Sequence, residues 1–370
     1  MKRRLVVSLC VLATLALAVV ATAASRPTPT LVDQVLMATE NDTDLATAHV
    51  QEKSAVEVWS VSIPWSTEGR GGADRYLGQI DIGVPVSGGA AAPLMIAVSP
   101  AGFVAVEDRG ATRLYDSSGV FLGLRDGTPV GFGPNAELVV TGGSGPLTVY
   151  DEAGNVLWYA DPLNEAFEGL GLADSAAAGL VRASSSPFTS PDGDIYWPMY
   201  IEVGEILTIP SPDDPQAVLP QWQTVEALNA FLLYDVTGTL VRCARETVPQ
   251  RLVFTPDGTV FGIGVVARGG VVHREFAVER GSFRYLRGVR VSAGTVYGAG
   301  RDGSLLVLEP LAESGPLRFT VYGVGESGKA ARFALPDGHG FVAAYAEGRL
   351  YSSLLTADCL QVSCWQWPTP

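Results

Sequence analysis

With 47% hydrophobic, 17% charged and 9% aromatic residues, the 370-residue chain holds apolar material for one large core or two ordinary ones, which excludes disorder. Its 42 Gly and 24 Pro follow no Gly-X-Y period, so collagen is excluded, and a turn content this high argues against a long helical bundle. The formal charge of −14, carried by 39 acidic against 25 scattered basic residues, argues against nucleic-acid binding, which needs clustered Lys and Arg to neutralise phosphates.

Lys2, Arg3 and Arg4 precede an apolar run from Leu5 to Val20, and Ala21-Thr22-Ala23 supplies a small-residue cleavage pattern. Residues 1–23 read as a secretory signal peptide; an uncleaved anchor is the other reading, since Leu5 to Ala24 is nearly long enough to span a bilayer. Cleavage deepens the charge to about −17 and leaves no further membrane span, so the body is expected to be exported to the periplasm, cell envelope or extracellular space. Residues 24–53 read as a linker. The acidic stretch Glu40-Asn41-Asp42-Thr43-Asp44 lacks the Gly and distal Glu of a calcium loop.

From residue 54 onward short β-rich segments alternate with turn signals. Segments 54–63 and 75–84 read as two strands, and 94–98, 102–107, 111–115 and 119–124 as a four-stranded meander. One pattern then recurs: Leu114-Tyr115-Asp116-Ser117-Ser118-Gly119, Val149-Tyr150-Asp151-Glu152-Ala153-Gly154 and Leu233-Tyr234-Asp235-Val236-Thr237-Gly238. A strand ends at Tyr, Asp bonds back to the turn backbone, Gly takes a positive φ and a new strand starts. Turn tetrads of a second kind stand at 99–102, 133–136, 190–193, 255–258 and 335–338. The same unit fits 129–160, 251–287, 288–322 and, less completely, 330–357; 179–245 fits if 201–226 is an insertion. The chain is therefore expected to be all-β, a β-propeller of six or seven four-stranded blades over 54–370, with the early strands building a seventh blade or closing the ring. A pair of β-sandwiches with similar hairpins is the alternative architecture.

Over residues 90–357 the unit resembles the blades of secreted bacterial β-propellers of the PQQ-like, NHL and WD-repeat-like groups. That resemblance implies a ring whose Asp-x-x-Gly turns join third and fourth strands. Only Trp158 follows such a turn as in the quinoproteins, which leaves the cofactor, if any, unknown.

Chemistry-bearing motifs are sparse. Gly323 to Lys329 matches a phosphate loop, but Ala330 replaces the Mg²⁺-binding hydroxyl and no long helix is expected after it, so an inter-blade turn is the reading adopted. His49, His273 and His339 lie far apart, and neither Ser144 nor Ser327 completes a nucleophile elbow. Ser190-Pro191-Asp192-Gly193 resembles a sialidase Asp-box but is read as a turn. Cys359 and Cys364 are expected to form a disulfide stapling the C-terminal tail, with Cys243 buried and reduced.

Insertions 161–178 and 201–226 flank the third blade. They place Asn164, Glu165, Phe167, Glu168, Glu202, Glu205, Asp213, Asp214 and Trp222 as a candidate acidic, aromatic-edged binding surface, or serve as variable decoration. The functional expectation is a monomeric exported binding or scaffolding module with a protein or glycan ligand in the envelope. The alternative is a lactonase or glycan-processing hydrolase with a metal or carboxylate site at the central channel.

Overall fold

The computed structural model describes residues 43–64 and 95–370, apart from 109, 143–145, 186, 211–217, 247–251, 263, 268–269, 311–314, 324–328 and 357–358. The expected signal peptide and the strand at 75–84 therefore lie outside the described residues. So do Asp213 and Asp214.

The repeated turn shows how the strands are made. In Asp116 the Oδ1 atom accepts the N–H groups of Ser118 at 2.8 Å and Val120 at 2.9 Å, and Asp235 does the same for Thr237 at 2.9 Å and Thr239 at 3.0 Å. The matching glycines Gly119, Gly154 and Gly238 sit at φ of +83°, +91° and +81°, where an L side chain is strained. Each turn reverses the chain, so consecutive strands pair antiparallel and build six sheets.

Blade 1 comprises Ile96–Val98, Val104–Asp108, Ala111–Tyr115 and Phe121–Asp126; blade 2 comprises Thr128–Phe132, Leu138–Thr141, Leu147–Tyr150 and Val156–Ala160. In blade 3, Val181–Ser185 and Phe188–Thr189 pair with Ile195–Pro210, followed by Val218–Tyr234 and Leu240–Ala244. Blade 4 orders Val253–Phe254, Thr259–Phe261, Gly270–Glu279 and Ser282–Val291, with Val265–Ala267 on the side. Blade 5 is built from Thr295–Ala299, Ser304–Leu308, Arg318–Gly323 and Lys329–Ala334, and blade 6 from Gly340–Tyr345, Arg349–Leu355 and Cys359–Gln366. The chain is a six-bladed β-propeller.

Blade 6 lacks a fourth strand of its own, and Val56–Pro64 supplies it by pairing antiparallel with Cys359–Gln366. This closes the ring, removes an exposed edge and decides between the two expected uses of the early strand. The segment before it is more than a linker. Thr43–Asp44 adds parallel to Val289 and Arg290 on blade 4, and His49–Glu52 adds parallel to Lys329–Arg332 on blade 5. Residues 43–64 thus form a belt along three blades.

Apolar side chains fill the gaps between neighbouring blades. Ala97, Ala105 and Leu114 of blade 1 meet Phe132, Leu138 and Val140 of blade 2, and Val98, Val104 and Tyr115 meet Tyr351 and Val362 of blade 6. Between blades 3 and 4 the seam is aromatic: Tyr196 and Phe231 contact Phe254 and Phe283. The belt contributes Leu45, 1% exposed, to the core between blades 4 and 5.

Three sequence expectations change. Over its described residues the 201–226 insertion is a strand extension: the ladder runs from Ile195↔Tyr234 to Pro210↔Val218, with one bulge at Val203/Gly204. The phosphate-loop lookalike lies inside blade 5, between its third and fourth strands, and Lys329 opens a strand where a nucleotide loop needs a helix. The Cys359–Cys364 bridge is absent, and all three described cysteines are free. Both residues belong to one strand, where five residues span about 16 Å, far beyond the roughly 7 Å Cα limit of a disulfide. Cys243 is free but half-buried, its thiol pushed up by burial and by the charge of Glu165.

Candidate functional site

In a meander of four antiparallel strands, the first and third turns lie on one face of the ring. The second turn and the crossover to the next blade lie on the opposite face. Both insertions therefore leave from the crossover face.

The first insertion folds into two short helices, α1 (Pro162–Gly169) and α2 (Ala173–Ala177). Asp161 caps α1 by accepting the Asn164 N–H at 3.2 Å and its side-chain amide at 2.6 Å, and Pro162 presets the first helical φ. The predicted surface residues on α1 divide. Asn164 is exposed but engaged with its cap, and Glu168 is exposed. Glu165 faces inward, accepting the Tyr234 hydroxyl at 2.9 Å, and Phe167 packs against the core between blades 2 and 3. The amphipathic period of a helix puts i and i+3 near one face, but only the tertiary contact told which of these four faces the blade.

The second insertion is the arm of blade 3. Strands of 16 and 17 residues compare with 10 or fewer in the other blades, so the hairpin continues well past the ring. Val181–Ser185 pairs with its base, from Val203 back to Met199, and Leu180 receives the Gly204 N–H. Beyond Val203 the described side chains stop joining the core: Glu205, Ile206, Leu207, Val225 and Glu226 are exposed. Trp222 is half-buried under the Arg182 guanidinium, 4.2 Å above its ring, and its indole N–H reaches Thr224 at 3.2 Å. Glu202 is half-buried and accepts the Tyr200 hydroxyl at 3.4 Å. Arg245 ties the two insertions together, bonding the Leu170 carbonyl at 3.2 Å and Glu226 at 3.3 Å.

A central channel of about 1270 Å³ runs between the blades, bordered by the innermost strands of all six. Its wall is mainly aliphatic and aromatic, including Val130, Phe132, Phe188, Phe254 and Phe341, and its charged residues are Asp192, Asp194, Arg280, Arg301 and Glu347. Arg301 and Glu347 pair at 2.8 Å. Among the described residues no group of three or more His, Cys, Asp or Glu side chains comes together to hold a metal ion.

The histidines have structural partners. His273 is fully buried, bonds the Gly294 carbonyl at 3.1 Å and is held below the usual imidazole range by burial. His339 contacts Ser352 Oγ at 2.8 Å, the same oxygen that receives the Trp365 indole N–H, and burial lowers its pKa as well. His49 is exposed on the belt. Ser144 and Ser327 lie outside the described residues. The 190–193 tetrad is the turn expected, its Gly193 N–H closing on the Ser190 carbonyl.

No family model and no curated protein matches the sequence. Among solved structures, a gluconolactonase from Xanthomonas campestris is similar at 16% identity over 73% of this chain and 84% of that one, with a TM-score of 0.41. BamB from Moraxella catarrhalis is similar at 13% identity, covering 86% of this chain and 99% of its own with a TM-score of 0.36. TolB from Acinetobacter baumannii follows at 12%, 69%, 62% and 0.34 in the same order. The ring is established by this chain's own strand pairing, independently of these likenesses. No helix among the described residues is long and apolar enough to cross a membrane.

Proposed function

We propose that the protein is exported and works as a binding or scaffolding module, monomeric, engaging a protein or glycan of the cell envelope through the blade 3 arm. The observation that carries this reading is the arm itself. Its ladder continues for seven pairs beyond the Val203/Gly204 bulge, where the described side chains no longer serve the inter-blade core. Exposed apolar residues at the bulge and just beyond it, Val225 at 68% and Ile206 at 57%, stand next to Glu226 and Glu205. A paired, twisted ribbon presents such side chains in fixed positions, which lowers the ordering cost of binding.

The test shortens the arm without disturbing the blade, replacing 205–223 by Asn-Gly so that Gly204 and Thr224 stay opposite each other. Envelope partners crosslinked to the intact protein are expected to be lost from the shortened one while its melting temperature is kept. Partners retained equally by both forms would assign docking to another surface.

A further inference from the structure

On the turn face, the wall of the channel between blades 3 and 4 carries a feature that the arm does not need. Phe188 and Tyr196 stack with centroids 5.4 Å apart and planes within 9°, and Phe254 meets Tyr196 edge-on at 5.3 Å. All three border the channel. Tyr196 is 4% exposed and packed among rings, and its hydroxyl is not one of the buried polar atoms left without a partner, so it is the open end of the side chain. The same wall holds Asp194, half-buried, and Asp192, exposed on the turn.

The charges acting on Asp194 are those of Asp192 and Asp235, both negative; together with burial, the larger effect, they push its carboxyl above the ordinary range. Asp235 is a fixed anion, since Thr237 and Thr239 satisfy it. Arg280 also borders the channel but is not among the groups acting on Asp194. Asp194 is half-buried, accepts a backbone hydrogen bond from Val236 and has only negative charges acting on it, so a positive ligand beside it would be stabilised. The flanking wall mixes the Phe188 and Phe254 rings with the Thr189, Ser190 and Thr255 hydroxyls, and among the described residues no three carboxylate, imidazole or thiol groups converge there, which suits a weakly hydrated organic cation better than a metal ion.

We propose that this part of the channel is a binding site for an organic ammonium cation, with the half-buried rings of Phe188 and Phe254 receiving its alkyl groups and Asp194, backed by Asp192, its charge. The site lies on the face opposite the arm, so it stands or falls independently of the docking reading.

The test titrates the full chain with choline and with its neutral isostere 3,3-dimethylbutanol by calorimetry. Choline is expected to bind at one site, with the isostere about tenfold weaker or more, the worth of a desolvated cation–π contact plus an ion pair. Asp194→Asn is expected to weaken choline about tenfold while leaving the isostere unchanged. Asp192→Asn, an exposed turn position that does not threaten folding, is expected to weaken it less, and thermal melts of both variants check the fold. Equal affinity for the two probes would overturn the site, as would no saturable binding of either, choline binding unaffected in both variants, or a Ca²⁺ site in place of the choline site.

Discussion

At the residue scale, the Asp-x-x-Gly turns do two jobs at once. The carboxylate organises the turn, and the glycine lets the preceding blade of the ring approach: a Cβ on Gly119 would lie 2.5 Å from Val61 of the closing strand, and one on Gly238 would lie 2.6 Å from the Trp158 ring of blade 2. Trp158 completes that junction by donating its indole N–H to the Val236 carbonyl at 3.0 Å. Gly238→Ala is therefore expected to lose at least about 1–2 kcal/mol from the positive φ alone, more with the overlap, read as a lower denaturation midpoint. The same turns set an acid limit. A side-chain hydrogen bond from Thr237, with backbone bonds from Thr239 and Thr237, holds the Asp235 carboxyl below its ordinary 3.8, and Asn155 does the same for Asp151. A folded-state pKa below the unfolded one gives stability that is complete above about pH 4 and lost as the pH falls through the lowered value. Urea midpoints measured from pH 5 to pH 2.5 are expected to drop, and to drop less steeply in Asp235→Asn. These turns were fully legible in the sequence, because every atom involved lies within four residues of the aspartate.

At the element scale, the belt is the part of the architecture that a linear reading placed incompletely. Residues 43–52 are mixed in polarity and show no strand period, so they read as linker; their strands exist because blades 4 and 5 offer unpaired outer edges. Leu45 anchors this segment in the core beside Val289 and Ala330. Leu45→Ala is expected to cost about 2–5 kcal/mol, as for other fully buried leucines, measured by chemical denaturation. Removing residues 1–52 is expected to lower the melting temperature yet leave a ring, because Val56–Pro64 still closes blade 6. Removal through residue 64 is expected to give aggregation from the freed Cys359–Gln366 edge. The arm of blade 3 teaches the same lesson in reverse. Residues 201–226 read as an insertion between strands, yet Pro210 and Pro220 both sit in the ladder, paired with Val218 and Thr208. An outlying ribbon tolerates a missing N–H that an inner strand does not.

At the scale of the whole molecule, stability comes from a ring of separate cores, and among the described residues no disulfide contributes. A reductant is expected to leave the melting temperature unchanged, and peptide mapping under non-reducing conditions is expected to return Cys243, Cys359 and Cys364 as free thiols. Five-residue spacing looked compatible with a small loop; it became a straight strand once Cys359–Gln366 was claimed by two neighbours, Arg349–Leu355 and Val56–Pro64. The candidate binding residues were legible only as insertions. Which of them faced out, and the gathering of Phe188, Tyr196, Asp194 and Phe254 on one channel wall, depended on the packing of blade 4 against blade 3. The sequence by itself determined the turns, the strand unit and the propeller class, because those rest on backbone bonds and side-chain alternation within a few residues. Only the tertiary structure decided the blade number, the belt and the content of the channel, because these rest on edges and cavities that exist only once segments some 300 residues apart have met.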